Sequence, residues 1–289
     1  MVERLMSEAT ATSAQPPRPR EIVKRHNVVT RVTHWFNVLA VFVLLMSGLQ
    51  IFNAHPRLYW GKAGANADMP FIEVQSVDSN GDGQRGLVRF GRHAIDTTGF
   101  LGVSGSGDAL MSRGFPAWAT LPSYQDLATG RRWHLAFGWV LVVNGLLYLL
   151  YNAATGHLRR SIVPGRKELG ARHLWQEVKD HARLRFPTGE ADKSYNAIQK
   201  ITYASVIFGA IPLIVLTGLT MSPGFNAIAP WLLDVFGGRQ SARTLHFIAA
   251  AALVAFIIVH VALVLLAGPW NLMRSMITGR YAVKPDRVA

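Results

Sequence analysis

Four long stretches of the chain contain no Asp, Glu, Lys or Arg, and they dominate its hydrophobic pattern. Each has about the 20 apolar residues that an α-helix needs to cross a bilayer. None alternates apolar and polar positions as a half-buried strand would, and none carries the polar stripe of a soluble bundle helix. The pattern therefore predicts four transmembrane helices, with buried helices of a soluble protein as the alternative. The stretches are Trp35–Phe52, Trp133–Tyr151, Ile201–Thr220 and Thr244–Gly268.

The charges between these stretches predict how the helices are oriented. Segments 1–33, 152–200 and 269–289 together hold 20 Lys/Arg and 9 Asp/Glu, whereas 53–132 and 221–243 hold 10 and 8. The net charges are therefore +11 and +2. Because Lys and Arg collect on the cytoplasmic side, we expect both termini in the cytoplasm and the protein in a bacterial inner membrane. This topology accounts for the formal net charge of +13 by contact with anionic lipid, so no nucleic-acid partner is expected.

The predicted architecture is an all-α integral membrane protein, a four-helix transmembrane bundle with a long extracytoplasmic loop between helices 1 and 2. Its segments are a cytoplasmic tail 1–33, helix 1 at 34–52, an extracytoplasmic loop 53–132, helix 2 at 133–151, a cytoplasmic loop 152–198, helix 3 at 199–220, an extracytoplasmic loop 221–242, helix 4 at 243–268 and a cytoplasmic interfacial tail 269–289.

The composition agrees with a membrane protein and excludes thiol chemistry. Of the 289 residues, 50% are hydrophobic and only 16% are charged, against about a quarter charged in soluble domains. The mean hydropathy is +0.20. Cysteine is absent, which excludes disulfides, thiolate zinc sites, iron–sulfur clusters and c-type haem.

The 53–132 loop has the pattern of a folded segment. Phe71–Val77 and Leu87–Phe90 flank a turn rich in Asp and Gly, which predicts a small β-hairpin. The turn begins like a calcium loop at Asp78, but Arg89 stands at the twelfth position, where such a loop needs Glu. A plain turn is therefore favoured over a calcium site.

Four of the ten histidines lie in or at the ends of the apolar stretches, where an ionisable group is costly and usually functional. His246 and His260 are 14 residues apart, so they share one side of helix 4 about 21 Å apart along its axis. His34 begins helix 1 at the cytoplasmic level of His260, and His134 begins helix 2 at the outer level of His246. The other six histidines fall in loops, where we expect solvated side chains.

This arrangement predicts two bis-histidine metal centres stacked across the membrane. Two b-type haems fit, because each takes two axial imidazoles and binds without cysteine. The alternative is metal or proton transport, but transport paths usually include carboxylates, and the four stretches contain none.

Two further regularities favour haem. An arginine precedes three of the histidines by three residues, on the same helix face, where it could bind haem propionates; snorkelling to the membrane surface is the alternative. Gly48 and Gly138 could let a porphyrin pack closely, or serve ordinary helix packing. The arginine–histidine pairs are Arg31/His34, Arg131/His134 and Arg243/His246.

At these residues the chain resembles the di-haem cytochrome b subunits of nickel–iron hydrogenases and formate dehydrogenases, and the related thiosulfate-reductase-type cytochromes b. The resemblance covers all four helices but not the 53–132 loop. It implies that His34 and His260 ligate a cytoplasmic haem and that His134 and His246 ligate an outer one. The matching stretches are Arg31–Trp35, His134–Gly138, His246–Ala250 continuing to His260, and Ser275–Gly279.

The resemblance also implies a quinone site. Tyr195–Lys200 is similar to a run beside the quinone site of formate dehydrogenase subunits, so Asn196, Gln199 and Lys200 are candidate donors to a quinone carbonyl. The alternative is a helix N-cap at Asn196.

The expected function is electron transfer between membrane quinone and an extracytoplasmic redox enzyme, most plausibly a molybdopterin oxidoreductase by resemblance. With both axial positions filled, the chain is expected to be an electron-transfer subunit rather than a catalyst alone. The alternatives are a free-standing cytochrome b that oxidises a small species such as superoxide, a metal or proton transporter, and an anchor with structural haem.

The 53–132 loop lies on the side where such a partner would dock. Loops of this length are usually functional or disordered, and the aromatic residues argue against disorder. We expect an outer cap that docks the partner, with a lid that only shields the outer haem as the alternative. The aromatic residues are Tyr59, Trp60, Phe115, Trp118 and Tyr124.

Reporter fusions test the orientation. Because of the charge asymmetry, fusions after Lys167 and Lys284 should report a cytoplasmic location, and a fusion near Asp82 an extracytoplasmic one. The opposite pattern would reverse the bundle and move the quinone site to the other face.

Overall fold

The computed structural model describes residues 21–65, 68–79, 81, 83–105, 107, 110–158, 162–165 and 168–284. Parts of the sequence-based predictions lie outside the described residues. They are the tail 1–20, turn residues Asn80 and Asp82, the fusion site Lys167 and residues 285–289.

Four helices are long and apolar enough to cross a membrane, by length and composition. The first two are α1 (Val28–Asn53) and α2 (Leu127–Ala154). Both begin several residues before the apolar stretch, where a polar side chain caps them: Asn27 accepts from the Thr30 backbone N–H, and Asp126 from that of Thr129. These caps satisfy backbone donors that the helix itself leaves unpaired.

The third span is interrupted. It runs from a 3₁₀ turn at Gly189–Lys193 through α4 (Ala197–Ser205) and a π-turn (Val206–Ala210) to α5 (Ile211–Thr220). Pro212 follows the π-turn, and a proline cannot donate the backbone hydrogen bond that a regular helix needs. The irregular turn accommodates the missing donor.

The fourth span is α8 (Arg239–Ala267). Helix α1 packs mainly against α2, and α5 against α8. Apolar side chains on the outer faces are more than half exposed, as expected where lipid covers the surface: Leu147 58%, Leu150 67%, Ile258 64% and Leu265 61%. Shorter helices complete the chain: α3 (Ala171–Ala182), α6 (Pro223–Ile228), α7 (Trp231–Val235) and α9 (Pro269–Thr278).

The description all-α is too narrow, because the described residues form three small antiparallel sheets. Strands β2–β5 form a four-stranded sheet in sequence order, β6 pairs with β7, and β1 pairs with β8. The strands are β1 (Ile22–Lys24), β2 (Arg57–Leu58), β3 (Ile72–Asp78), β4 (Gln84–Phe90), β5 (His93–Asp96), β6 (Gly102–Ser104), β7 (Met111–Arg113) and β8 (Arg280–Ala282).

Strands β2–β7 make the segment between α1 and α2 a folded cap. Its core of Leu58, Val74 and Val88 continues into the bundle through Phe52 on α1. Strand β6 lies close against β4, because a Cβ at Gly86 would meet the Leu101 carbonyl oxygen at 2.0 Å. Only glycine fits there.

Polar contacts fix the cap to α1. Asn53 at the end of α1 donates to the Phe115 carbonyl at 3.2 Å and accepts from the Phe115 N–H at 2.6 Å. Arg113 in the cap donates to the Gln50 side chain on the same helix at 2.9 Å.

Further contacts fix the cap to α8. The Thr244 hydroxyl donates to the Tyr59 carbonyl at 2.6 Å, and the Gly61 N–H donates to the Ser241 hydroxyl at 2.7 Å. The cap therefore bridges the first and last membrane helices.

At the other end of the bundle, the N- and C-terminal segments join. Tyr281 in β8 donates to the Asp192 carboxylate at 3.0 Å, and the Arg25 guanidinium lies 4.4 Å from the centre of the Tyr281 ring. His26 is buried here rather than solvated. Its burial, with Arg25 nearby, lowers the pKa of the imidazole to about 4, so His26 is neutral at pH 7.

Candidate functional site

His134 on α2 and His246 on α8 face each other near the cap. Their ring centroids are 6.1 Å apart and their planes are inclined by 62°. Two imidazoles that share a metal at metal–nitrogen distances of about 2 Å have centroids about 6 Å apart. The separation of this pair fits a shared metal.

The Nδ1 atoms of both rings are directed at hydrogen-bond acceptors on neighbouring helices. His134 Nδ1 lies 3.1 Å from the Leu44 carbonyl oxygen of α1, and His246 Nδ1 lies 3.2 Å from the Thr217 hydroxyl of α5. The carbonyl only accepts, and the Thr217 hydroxyl donates its own proton to the Leu213 carbonyl, so Nδ1 of each ring carries the proton. This leaves Nε2 as the atom able to bind a metal, the arrangement usual in metal-ligating histidines.

His34 on α1 and His260 on α8 form a second pair toward the chain termini. The two imidazoles are close enough to interact electrostatically. Trp35 lies edge-on to His34 with centroids 5.5 Å apart, and Phe256 stacks on His260 at 5.7 Å. Within the described part of the chain, neither ring makes a hydrogen bond, and each packs against one aromatic neighbour.

The four histidines group in pairs rather than in larger clusters. Among the described residues, no three His, Cys, Asp or Glu side chains converge as a metal site. Two imidazoles fit an iron that brings its other four ligands in a porphyrin. The donor set therefore fits b-type haem at both levels.

Two of the three candidate propionate-binding arginines lie near their histidines without a carboxylate partner in the described structure. Arg31 donates to the Ile277 carbonyl through Nη1, while its buried Nε has no hydrogen-bond partner. Arg243 donates to the His55 carbonyl and lies 5.8 Å from the centre of the Phe52 ring. Arg131 is exposed. The first two have charge available for an anionic group.

The three candidate quinone donors already have partners. Asn196 caps α4: its side chain accepts from the Gln199 N–H at 2.9 Å, and the Gln199 side chain accepts from the Asn196 N–H at 3.3 Å. Lys200 donates to Glu168 at 2.7 Å, and this hydrogen bond lowers the pKa of the Glu168 carboxyl. The N-cap geometry is therefore present. Lys200 has three donors, and the Gln199 amide uses only its oxygen in the cap, so both keep donors to spare.

Sequence reasoning missed two hydroxyl-bearing residues that contact the histidines. Ser47 lies 3.1 Å from His134 Nδ1, and Thr217 lies 3.2 Å from His246 Nδ1. The available signal was a short repeat, because Ser47-Gly48-Leu49 and Thr217-Gly218-Leu219 have nearly the same sequence. Gly138, singled out with Gly48, has open space where its Cβ would be.

Comparison with known proteins gives two matches. The family model described as prokaryotic cytochrome b561 matches residues 25–279. A protein of Azospira oryzae described as the putative protein-methionine-sulfoxide reductase subunit YedZ1 is 31% identical over 248 residues, which cover 86% of this chain and 93% of the relative. The family match spans the four membrane helices and the cap.

Proposed function

The chain belongs to the prokaryotic cytochrome b561 family, and from this premise we propose that it is a di-haem subunit carrying electrons between quinone and an extracytoplasmic oxidoreductase. Membership makes it a haem-containing membrane electron-transfer subunit, related to the cytochrome b subunits of hydrogenases and other oxidoreductases. The two-haem arrangement, the quinone and the identity of the partner are the proposal.

In this proposal, His134 and His246 ligate an outer haem, and His34 and His260 an inner one. The observation that carries it is the 6.1 Å pairing of His134 with His246, with both Nδ1 atoms hydrogen-bonded to neighbouring helices. When bound, each haem supplies an iron that one electron reversibly reduces. Two imidazoles on each iron would leave it no open position, so substrate chemistry would fall to the partner.

The surrounding residues hold the propionates and exclude water. Arg243 is the outer propionate partner and Arg31 the inner one, since each is near its histidine with charge to spare. Arg131 is exposed, so its side chain would have to turn inward before it could bind a propionate. The cap covers the outer pair, and the joined terminal strands close the inner end.

The proposed orientation places both termini in the cytoplasm of a bacterium and the cap outside its inner membrane. It rests on the charge asymmetry of the sequence. The inner haem then lies near the quinone site, and the outer haem lies beneath the surface that a partner would contact.

Histidine substitutions test the haem assignment. Purified protein should contain two non-covalent b-type haems per chain. His134→Ala or His246→Ala should remove the outer haem, and His34→Ala or His260→Ala the inner one, because each haem then loses an axial ligand. Haem content and redox titration give the count, and His93→Ala in the exposed β5 is the matched control. A ligand variant that keeps two bis-histidine haems would refute the assignment.

We place the quinone at the cytoplasmic start of α4, with Lys200 as its main donor. Lys200 is held by Glu168, which keeps the ammonium group at the edge of the bundle. Asn196 and Gln199 line the same helix start, where they stabilise its first turn and orient the site.

Paired substitutions separate a quinone donor from a structural ion pair. Lys200→Ala should slow haem reduction by a quinol analogue about tenfold, because a hydrogen bond to bound quinone is lost. Glu168→Gln breaks the same ion pair but leaves the donor, so its quinol kinetics should stay near wild type. Asn196→Ala should also slow the reaction while destabilising α4 by about 1 kcal/mol. The haem spectra of all three variants should be unchanged. Equal quinol kinetics in Lys200→Ala and Glu168→Gln would show that Lys200 is not the quinone donor and that the quinone binds at another site.

The relative's description indicates the class of partner. A protein-methionine-sulfoxide reductase converts the sulfoxide to the thioether and water with two electrons and two protons. Quinol oxidation supplies two electrons, so the proposed flow runs from quinol through this chain to the partner. The family resemblance makes a molybdopterin centre in that partner the expected catalyst.

The cap offers a surface for such a partner. Several large apolar side chains on it are half exposed or more, among them Trp118 at 70% and Phe100 at 57%, which lie 6.0 Å apart. Exposed aromatic residues are typical anchors of protein interfaces. Because the cap is fixed to α1 and α8, a partner bound there would have a constant position relative to the outer histidines.

Substitution of this surface tests the docking role. Trp118→Ala with Phe100→Ala should reduce electron transfer to the partner about tenfold, as interface anchors usually contribute 1–2 kcal/mol or more. Both haems and the quinol kinetics should be retained. Trp270→Ala removes an aromatic group that is 89% exposed on α9 and should have no effect. Wild-type electron transfer to the partner in the double variant would contradict the docking role, and the cap would then serve only to shield the outer haem.

A further inference from the structure

The two outer histidines rest against the same pair of residue types, supplied by two different helices. On α1, the Ser47 hydroxyl is 3.1 Å from His134 Nδ1, and a Cβ at Gly48 would lie 3.2 Å from His134 Cε1. On α5, Thr217 is 3.2 Å from His246 Nδ1, and a Cβ at Gly218 would lie 3.2 Å from His246 Cε1. The contacts agree atom for atom.

The direction of these hydrogen bonds follows from the helix geometry. The Ser47 hydroxyl donates its one proton to the Val43 carbonyl at 2.7 Å, and Thr217 donates to Leu213 at 2.6 Å. Each hydroxyl oxygen can then only accept from the imidazole. Both hydroxyl residues are fully buried, so water does not compete.

Each Nδ1–H therefore has the hydroxyl oxygen as an acceptor, and that of His134 has the Leu44 carbonyl one turn earlier as well. These acceptors orient the rings and hold the proton on Nδ1. Strong acceptors at this position make an imidazole a more basic metal ligand, and a more basic ligand favours the oxidised iron.

The glycines allow the close approach. A contact of 3.2 Å is tighter than a methyl group normally tolerates, so an alanine at either position would push the imidazole away from its acceptors. The hydroxyl and the glycine are consecutive residues, and one helix turn supplies both.

We propose that Ser47-Gly48 and Thr217-Gly218 are two equivalent positioning pairs that orient the axial ligands of the outer haem and lower its reduction potential. This inference rests on the proposed ligand roles of His134 and His246. It applies to the outer haem alone, since the rings of His34 and His260 have no hydrogen bond within the described residues.

The test is a redox titration of the purified holoprotein, with the low-spin electron paramagnetic resonance signals of both haems recorded. Ser47→Ala and Thr217→Val should each shift the outer haem to a more positive potential and change its signal, while the inner haem stays unchanged. Thr217→Ser keeps the hydroxyl, so the potential and the signal of its outer haem should match those of the wild type. Thr220→Val is the control, because Thr220 is equally buried on α5 and its hydroxyl bonds only to the Thr217 carbonyl.

The two glycines of the positioning pairs are tested separately, through the occupancy and the signal of the outer haem. Gly48→Ala and Gly218→Ala should lower the occupancy of the outer haem or broaden its signal, whereas Gly224→Ala on the exposed face of α6, where a Cβ would meet no neighbour, should not. If Thr217→Val no longer binds the outer haem, the potential of that haem cannot be measured, and Thr217→Ser becomes the test. A wild-type outer-haem potential in Thr217→Ser supports the proposal, and loss of the outer haem in that variant overturns it.

The results separate this inference from the function it rests on. Retention of both haems in His134→Ala would refute the ligand assignment. Loss of the outer haem in His134→Ala, together with unchanged potentials and signals in Ser47→Ala and Thr217→Val, would keep the function and overturn the positioning role.

Discussion

The hydrogen bond from each outer imidazole to a neighbouring helix is the interaction on which the rest of the structure depends. In hydrocarbon, an unpaired polar group is costly. His134 satisfies Nδ1 at Leu44 and Ser47 of α1, and His246 does so at Thr217 of α5. These bonds connect α1 with α2 and α5 with α8, so two helix pairs each present one imidazole to the centre.

The cap follows from the depth of this pair. His134 and His246 lie near one end of the bundle, where an open mouth would admit water. Asn53 and Gln50 of α1, with Ser241 and Thr244 of α8, fix the cap across that mouth. The cap is held by one helix of each pair, α1 and α8. It can therefore shield the site and still present exposed aromatic residues at a constant distance from it.

The opposite end is closed differently. Pairing of β1 with β8 joins segments more than 250 residues apart, and Tyr281 ties this sheet to Asp192 before α4. The inner histidines are held by aromatic contacts without ring hydrogen bonds in the described chain. Lys200 and Glu168 stand at the edge of the same end. By this measure the outer level, where both rings are hydrogen-bonded, is the more tightly built of the two.

The sequence by itself determined the four membrane helices and the sorting of four histidines into two levels, because both depend on local hydrophobicity and helical spacing. It also determined the family, through motifs within single helices. Only the tertiary structure decided how the three sheets assemble, the burial of His26 and the exposure of Arg131. It also placed Ser47 and Thr217 behind the histidines. Each of these depends on which distant segments of the chain pack together, and local hydrophobicity and helical spacing do not specify that packing.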